Sequence, residues 1–357
     1  MKQVPVIILG VGGVGRALLR QLVRRRSYHE QRFGVFLNVV VVADSGGAVV
    51  SSEGLTDEEL DQIVAHKESG RSLADYPSGY FQNQARDLVD LFAAPGTIVV
   101  DVTATEATYD ALVLAMERRA RIVLANKIPL AGPYDRAAPL FRYPLLRYET
   151  TVGSAVPVIT TLKRLLASGE TIYRFQGSLS GSLGYIMTAV EEGVAFSKAV
   201  LRAKELGYTE PDPREDLLGR DVARKALIVA RTMGWQVEME DVEIEPLIPE
   251  EWASWPMEDF LAEIFALDDD FYSWRDAAQA RHEALRYVAR VEEGRLRVGI
   301  EFVPQDSPLG RLQGSDNLVE FYTEYYSTGP LALQGRGAGV DATASGVLTD
   351  MVDLALA

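Results

Sequence analysis

Residues 4–26 read VPVIILGVGGVGRALLRQLVRRR, and this stretch decides the fold of the first part of the chain. Residues 4–9 form a continuous apolar run, which is typical of a strand buried on both faces of a sheet. Residues 16–26 have the composition of a helix. The glycine pattern GxGxxG lies between them, in the order of elements that a dinucleotide-binding motif requires. We therefore predict an α/β fold that begins with a doubly wound, Rossmann-type sheet.

The three glycines of this pattern have separate tasks in such a motif. Gly10 permits a tight turn, Gly12 lets the backbone approach a pyrophosphate, and Gly15 allows the helix to pack closely on the strand. Amides at the helix start, including that of Val14, then face the anion. A glycine turn with a purely structural role is the alternative, because the pattern alone is weakly specific. Its position between a strand and a helix favours NAD or NADP as a bound cofactor.

A second apolar run, residues 36–43, ends in Asp44. An acid after the second strand usually binds the adenosine ribose hydroxyls, and it would repel the 2′-phosphate of NADP. Asp44 therefore favours NAD, although nearby arginines could compensate for its charge. We interpret residues 24–34 as a lengthened connection before this strand. Residues 53–85 are predicted to form a polar helical insertion with a loop.

Two later apolar runs end in polar residues. Residues 97–102 are followed by Thr103, and residues 121–125 lead to Asn126 and Lys127. Polar residues beyond the carboxyl ends of parallel strands lie at the ligand crevice of a doubly wound sheet. Thr103 is therefore a candidate ligand contact. For Lys127, a crevice position and an ordinary surface charge explain the pattern equally well.

The composition excludes several kinds of chemistry. The chain has no cysteine, which removes disulfides, thiolate metal sites and a thiol nucleophile. Its three histidines, His29, His66 and His282, are scattered, so neither a zinc site nor a histidine triad is expected. The formal net charge of -15 disfavours a nucleic-acid partner. No apolar run has the roughly 18 residues of a membrane span, so no membrane partner is expected either.

Residues 206–230, LGYTEPDPREDLLGRDVARKALIVA, combine carboxylates, one lysine and an apolar helix. Asp221 and Lys225 are four positions apart and lie on one helix face, with Glu210 and Asp216 shortly before them. A lysine at the edge of an apolar run suits a proton donor, and carboxylates around it suit a charged amine. A solvated, capped helix start is the alternative, and in isolation it explains the segment equally well.

The alternation of strand and helix changes near residue 149, so we predict two domains. Residues 1–148 form the dinucleotide-binding domain. Residues 149–334 form an α+β domain for substrate binding and dimerisation. A second glycine loop at residues 335–339 precedes a helix, and residues 335–357 are predicted to complete the first domain. Strands of a mixed sheet in the second domain are predicted at residues 173–179, 285–291, 296–303 and 318–326.

Together these segments resemble homoserine dehydrogenase over nearly the whole chain, in the short form without an aspartate kinase or a C-terminal regulatory domain. The matching stretches are GVGGVG (10–15), ANK (125–127), ETTVGSAVPVI (149–159), GSLSGSLGYI (177–186), LGYTEPDPREDLLGRDVARK (206–225), GSDN (314–317) and GRGAG (335–339). GYTEPDPR followed by GRDVARK is highly specific. The resemblance implies NAD(P)-dependent interconversion of L-aspartate 4-semialdehyde and L-homoserine, a cytoplasmic step towards threonine and methionine.

The resemblance also implies roles for individual residues. Lys225 corresponds to the proton donor to the carbonyl oxygen, Asp221 accompanies it, and Lys127 corresponds to a lysine near substrate and nicotinamide. The implied substrate ligands are Glu210, Asp216, Asp221, Tyr208 and Ser182. The predicted cofactor contacts are Gly10, Gly12, Val14, Gly15, Asp44, Thr103, Lys127, Gly207 and Gly339.

A monovalent cation is a further implication. Glu149 and the backbone carbonyls of Val152, Ser154 and Val156 match a sodium site of the family. The small residues of this segment also let carbonyls crowd inward, although a plain turn between domains is the alternative. The family often has GAGLP where this chain has Gly-Ser-Ala-Val-Pro, and Ala155 in place of glycine narrows the allowed geometry. The resemblance implies a homodimer through the second domain's sheet.

Three other functions compete with this interpretation. Aspartate semialdehyde dehydrogenase acts on the same aldehyde but needs a cysteine nucleophile, which this chain lacks. An amino-acid dehydrogenase acting on an amine is a second alternative. A non-catalytic NAD(P)-sensing protein on the same fold is a third, and the combination of Lys225, Asp221, Glu210 and Lys127 speaks against it.

Overall fold

A computed structural model describes residues 1–82 and 84–357 of the chain. The chain divides into two compact units, and the first contains residues 1–155 together with residues 339–357. The second unit contains residues 156–338. No helix in the described part of the chain has the length and apolarity that crossing a membrane requires.

The first unit contains a seven-stranded sheet with the order β4-β3-β2-β1-β5-β6-β7. Its strands are β1 (Lys2–Leu9), β2 (Val35–Asp44), β3 (Gly47–Val50), β4 (Gly79–Tyr80), β5 (Ile98–Asp101), β6 (Arg121–Leu124) and β7 (Leu146–Arg147). Strands β2, β1, β5, β6 and β7 are parallel, whereas β3 and β4 add on as antiparallel strands. The helices are α1 (Gly13–Phe33), α2 (Asp57–Glu68), α3 (Ala85–Phe92), α4 (Tyr109–Glu117), α5 (Ile128–Ala131), α6 (Tyr134–Arg142) and, from the end of the chain, α14 (Val340–Leu356). The predicted doubly wound sheet is confirmed.

The core of this unit explains why its central strands are apolar throughout. Side chains of α1 and α14, among them Leu18, Leu22, Val347 and Met351, form one buried cluster with those of β1 and β2. Strands covered in this way cannot alternate apolar and polar residues. The carboxyl-terminal helix is therefore an integral part of the first unit.

Helix α1 is longer than predicted. Residues 24–34, which we interpreted as a lengthened connection, continue the helix to Phe33. The helix ends at Gly34, whose φ of 66° is the left-handed conformation that favours glycine at a helix terminus. The insertion at residues 53–85 contains the predicted helix, α2, but also the two-residue strand β4. Strand β3 was not predicted either, since such short strands carry no periodicity.

The limits of the first unit differ from the predicted domain boundaries. Residues 149–155 belong to it because they are bound to α14. The Glu149 amide donates to Asp350 Oδ2 at 3.0 Å, and the hydroxyls of Ser154 and Thr343 lie 2.9 Å apart.

The second unit contains a six-stranded mixed sheet with the order β13-β12-β8-β10-β11-β9. Its strands are β8 (Ile172–Ser178), β9 (Val242–Ile244), β10 (Glu283–Glu292), β11 (Arg295–Pro304), β12 (Asp316–Thr323) and β13 (Leu331–Arg336). The helices are α7 (Val158–Ala167), α8 (Gly181–Glu191), α9 (Phe196–Glu205), α10 (Arg214–Leu217), α11 (Arg220–Thr232), α12 (Met257–Glu263) and α13 (Asp268–Ala280). The mixed sheet and its four predicted strands are confirmed.

Two of its strands, β9 and β13, were not predicted. Strand β13 contains Gly335 and Arg336, which we had placed in a glycine loop completing the first domain. The glycine pattern misled the prediction, because β13 pairs with β12 from Leu331 to Arg336. Only the part of that segment from Gly339 onward lies in the first unit.

Candidate active site

The glycine loop of the first unit is shaped to receive an anionic group. Gly10 has a φ of 105°, and a Cβ atom at Gly15 would lie 2.1 Å from the Gly10 carbonyl oxygen. A Cβ atom at Gly12 would meet no protein atom within 4 Å, so the loop is open on that side. Helix α1 begins at Gly13 without a side-chain cap on its first amides, including that of Val14. Uncapped amides at the start of a long helix fit a pyrophosphate.

Asp44 is the last residue of β2, and its carboxylate has two partners. Oδ1 accepts a hydrogen bond from the Gly46 amide at 2.8 Å, and Oδ2 lies 2.7 Å from Nζ of Lys67 on α2. Asp44, Gly10 and Thr103 line a cavity of about 90 Å³. Lys67 was missed from the sequence, because nothing in the residues around it marks it as the partner of a distant acid.

Thr103 and Lys127 follow the carboxyl ends of β5 and β6, as predicted. Lys127 immediately precedes α5, and Thr103 packs its methyl group close to Gly10. Gly339, with a φ of 125°, precedes α14 in the same unit. The first unit thus gathers most of the predicted cofactor contacts at the carboxyl edge of one sheet.

In the second unit, Lys225 is held by two acceptors on its ammonium group. Nζ donates to the Leu179 carbonyl at 2.6 Å and forms an ion pair with Asp221 Oδ2 at 2.8 Å. The Lys225 side chain is 11% exposed, whereas that of Asp221 is 44% exposed. The ammonium is therefore fixed at the edge of the core rather than free in solvent, which disfavours the simple capped-helix alternative.

Asp216 connects the substrate-binding candidates around it. Its carboxylate accepts hydrogen bonds from the Ser182 hydroxyl at 2.6 Å and from the Glu210 amide at 2.9 Å. Burial raises the pKa of the Asp216 carboxyl, and the charges of Glu210 and Asp221 act in the same direction. Several carboxylates in one place create a strongly negative site, which suits a cationic ligand group.

Two other predicted contacts lie on the same turn. Tyr208 is 46% exposed, and its ring packs against Tyr185 with centroids 4.9 Å apart. Gly207 has a φ of 70°, so its backbone is in the left-handed conformation. The exposed side of Tyr208 remains accessible to a ligand.

Arg214 stabilises the turn that precedes α11, a role that we did not predict from the sequence. Its guanidinium donates to both carboxylate oxygens of Asp212 and to the carbonyls of Trp252 at 3.1 Å and Trp255 at 2.6 Å. The hydrogen bonds to Arg214 hold the pKa of Asp212 below its usual value. Asp212 therefore has a structural role in this turn.

The predicted cation ligands are distributed over both units. Glu149, Val152 and Ser154 are buried in the first unit, where Ser154 has a φ of 57°. The hydroxyl of Thr150, in the same segment, is buried and has no hydrogen-bond partner among the described residues. Val156 belongs to the second unit, where its carbonyl accepts a hydrogen bond from the Val158 amide at 2.8 Å.

Asp350 is a further acid near Glu149 that was missed. It accepts the hydrogen bond of the Glu149 amide, and burial raises its pKa to about 7. In the described part of the chain, no three His, Cys, Asp or Glu side chains gather around a common metal position. Any cation here would therefore depend on carbonyl and hydroxyl oxygens beside at most two carboxylates.

Comparisons with known proteins agree with this arrangement. A family model described as homoserine dehydrogenase matches residues 157–352. A homoserine dehydrogenase from Paracoccidioides brasiliensis is 34% identical over 97% of this chain and 96% of its own length. A bifunctional aspartokinase/homoserine dehydrogenase from Haemophilus influenzae is also 34% identical over 98% of this chain, which spans 43% of that longer protein.

The structural comparison gives the same result. A hyperthermophilic archaeal homoserine dehydrogenase, solved in complex with NADPH, has a TM-score of 0.75 and 27% sequence identity. The similarity covers 99% of this chain and 98% of the archaeal chain. The family model covers more than half of the chain, and the fungal relative is matched almost completely. The chain therefore belongs to the homoserine dehydrogenase family, which comprises NAD(P)-dependent oxidoreductases that act on an alcohol group.

Proposed function

We propose that the protein interconverts L-homoserine and L-aspartate 4-semialdehyde with NAD or NADP as hydride carrier. The observation that carries this proposal is the Lys225 ammonium, held between the Leu179 carbonyl and Asp221 among further carboxylates. Family membership supports the reaction and a place in threonine and methionine biosynthesis, and we propose that the step takes place in the cytoplasm. The test is formation of reduced coenzyme, followed by absorbance, when L-homoserine and NAD or NADP are added to the purified protein.

The bound coenzyme supplies the hydride, and the residues of the chain bind and orient the substrate and protonate its oxygen. Two of the three N–H bonds of Lys225 are directed at Leu179 and Asp221, which leaves the third for the substrate oxygen. An ammonium in this position stabilises the negative charge that develops on the oxygen and then donates its proton. In the direction of homoserine oxidation, the same lysine receives the proton.

The substrate's own charges fit the second unit's side chains. Its cationic amine suits the carboxylates of Glu210 and Asp221, with Asp216 fixed behind Glu210 by the hydrogen bond from the Glu210 amide. The Ser182 hydroxyl donates its one proton to Asp216, so the candidates for the substrate's carboxylate end on this side are the backbone amides at the start of α8, including that of Ser182. Lys127 is a second candidate, through its positive charge.

We infer that the Asp44–Lys67 ion pair lets the protein accept both NAD and NADP. Lys67 neutralises the charge of Asp44, which otherwise repels a 2′-phosphate, while Asp44 keeps an acceptor for ribose hydroxyls. The NADPH bound by the archaeal relative is consistent with use of the phosphorylated coenzyme.

Replacing Lys67 by methionine is expected to weaken NADPH binding by about tenfold or more and to leave NADH binding within about threefold, since one phosphate–lysine contact is lost. Dissociation constants of both coenzymes, measured by fluorescence titration, check this. Arg20→Met is the matched control, because Arg20 on α1 pairs with Glu68, the residue that follows Lys67 on α2. An equal loss for both coenzymes would show that Lys67 does not discriminate between them.

We also propose that the segment from Glu149 onward binds a sodium ion. The buried Thr150 hydroxyl supports this, because its oxygen has no hydrogen-bond partner among the described residues and is available to a cation. A ligand of the native state raises the midpoint of thermal unfolding. Sodium chloride should therefore raise that midpoint above the value in choline chloride of equal ionic strength. Identical midpoints in the two salts would contradict the proposal.

We further propose a homodimer through the face of the second unit's sheet that carries Gln176 and Glu320. Gln176 and Glu320 lie side by side on β8 and β12, and Oε1 of each is buried without a hydrogen-bond partner among the described residues. A buried acceptor without a donor costs about 1–3 kcal/mol. Both side chains are buried in the single chain, so a second subunit on this face supplies the missing donors when the two side chains turn towards it.

The dimer proposal predicts a mass of twice 39.2 kDa in sedimentation equilibrium at micromolar concentration. Ala332 is exposed on β13 directly opposite Glu320, so Ala332→Glu should weaken the dimer by at least tenfold through charge repulsion. Ala167→Glu on the exposed side of α7 is the matched control and should leave the mass unchanged. A monomeric wild-type protein would refute the proposal.

A further inference from the structure

Asp101, the last residue of β5, is completely buried and accepts four hydrogen bonds from neutral donors. Oδ1 accepts from the amide of Thr103 at 2.9 Å and from its hydroxyl at 2.7 Å. Oδ2 accepts from the Thr108 hydroxyl at 2.7 Å and from Asn126 Nδ2 at 3.0 Å. One carboxylate thus holds the chain segments that follow both β5 and β6.

The second of these segments is fixed through Asn126. Its Nδ2 lies 3.1 Å from the Thr103 hydroxyl oxygen and 2.7 Å from the Thr105 carbonyl. Its Oδ1 accepts a hydrogen bond from the Ile128 amide at 3.1 Å, and the Asp101 carbonyl accepts from the Asn126 amide at 3.2 Å. Lys127 therefore sits between two residues whose positions depend on this network.

The negative charge of Asp101 determines the direction in which the Thr103 hydroxyl donates its hydrogen bond. An ionised carboxylate only accepts hydrogen bonds, so the single proton of the Thr103 hydroxyl is committed to Asp101. The hydroxyl oxygen can then only accept further hydrogen bonds through its lone pairs, and Asn126 Nδ2 is placed to donate to one of them. Thr103 lines the cavity beside Gly10 and Asp44, so its hydroxyl can offer an incoming ligand only an acceptor.

Connecting two loops through a buried carboxylate is energetically unfavourable. Burying an ionised carboxylate costs far more than burying an amide or a hydroxyl, and a neutral side chain could bridge the same segments. A neutral bridge, however, would leave the direction of the Thr103 hydroxyl undetermined, because amides and hydroxyls donate as well as accept. An acceptor-only group removes that ambiguity.

We propose that Asp101 is a positioning residue that fixes the Thr103 hydroxyl as an acceptor for a neutral hydrogen-bond donor of the coenzyme. The inference rests on the proposed NAD(P)-dependent function. The donor is a hydroxyl of the nicotinamide ribose or the carboxamide N–H group, because β1 and its glycine loop lie between β2, which carries Asp44 for the adenosine ribose, and β5, which leads to Thr103. The adenosine half of the coenzyme, which ADP shares, does not take part in this contact.

Equilibrium binding of NADH and ADP, measured by calorimetry, tests the proposal without turnover. Thr103→Val should weaken NADH binding by about tenfold and leave ADP binding within about twofold, because one ligand hydrogen bond is lost. Thr103→Ser retains the hydroxyl and should restore NADH binding. Binding of ADP-ribose, which has the second ribose but no carboxamide, distinguishes the two donors. If Thr103→Val weakens ADP-ribose binding as much as NADH binding, the donor is the ribose hydroxyl. If it leaves ADP-ribose binding unchanged, the donor is the carboxamide.

Asp101→Asn should reproduce the selective loss of NADH affinity, and adding Thr103→Val to it should weaken NADH little further, since Asp101 acts through Thr103. Thr97→Val is the matched control, because Thr97 is buried at the other end of β5 and accepts only the Ala94 amide in this region. If Asp101→Asn does not fold, the two Thr103 variants still decide the question.

Three results would overturn the inference. Equal losses of NADH and ADP affinity would show that Thr103 and Asp101 only maintain the loop. Unchanged NADH binding in Thr103→Val would show that its hydroxyl makes no coenzyme contact. Failure of the wild-type protein to bind either NADH or NADPH would refute the proposed function as well, and it is distinguishable from the other two because no variant is involved.

Discussion

Lys225→Met is expected to lower kcat for homoserine oxidation by roughly 10³- to 10⁴-fold while the dissociation constant of the coenzyme changes by less than about twofold. Methionine keeps the length and the apolar stem of the side chain, which packs at the edge of the core, but removes the ammonium held by Leu179 and Asp221. The proton donor and the positive charge near the substrate oxygen are lost together. Steady-state kinetics and a coenzyme titration on the same preparation measure both quantities.

Two further variants show whether the effect belongs to Lys225 itself. Lys198→Met removes an exposed lysine on α9 and should leave kcat unchanged. Glu210→Gln should instead raise KM for homoserine by about tenfold with a smaller change in kcat, because it removes a carboxylate proposed to bind the amine. A Lys225→Met protein that retains normal turnover would remove this lysine from the mechanism.

Gly15→Ala is expected to destabilise the protein by about 3 kcal/mol or more and to abolish coenzyme binding. The added Cβ atom would lie 2.1 Å from the carbonyl oxygen of Gly10 and 2.9 Å from its carbonyl carbon. These are backbone atoms, so relief requires helix α1 to move away from β1, and the core that both share would open. Denaturant unfolding and NADH titration check the two effects.

Gly12→Ala is the matched comparison for this prediction. Its Cβ atom would meet no protein atom within 4 Å, so the free energy of unfolding should change by less than about 0.5 kcal/mol. Coenzyme affinity should nevertheless fall by at least tenfold, because the methyl group occupies the space through which a pyrophosphate approaches. Equal losses of stability in both variants would contradict the roles proposed for the two glycines, namely helix packing for Gly15 and approach of the pyrophosphate for Gly12.

Much of the first unit was predictable because its signals are local. The apolar strand, the glycine pattern and the helix follow one another within residues 4–26, and each has a period or composition of its own. The errors occurred where local signals conflict or are absent. Helix α1 runs through residues 24–33, which are too polar to show a buried face, and Gly335 lies in a strand although it belongs to a glycine-rich stretch.

The contacts of the candidate site also divide into those that could be predicted from local sequence and those that could not. Asp221 and Lys225 were predictable as a pair because helical spacing alone places them on one face. The carbonyl of Leu179 and the pairing of Asp44 with Lys67 were not, since each joins positions far apart in sequence. The four hydrogen bonds of Asp101 were missed for a similar reason: an acid at the end of an apolar run shows nothing about which loops it will connect.

The central claim is that the protein oxidises L-homoserine, and its most direct test is the rate of NADH or NADPH formation from L-homoserine by the purified wild-type protein. We expect coenzyme reduction that depends on both substrates and disappears in Lys225→Met, together with reoxidation of the coenzyme on addition of L-aspartate 4-semialdehyde. Clear binding of NADH or NADPH without any turnover of either substrate would contradict it, and would favour a protein that senses the coenzyme instead.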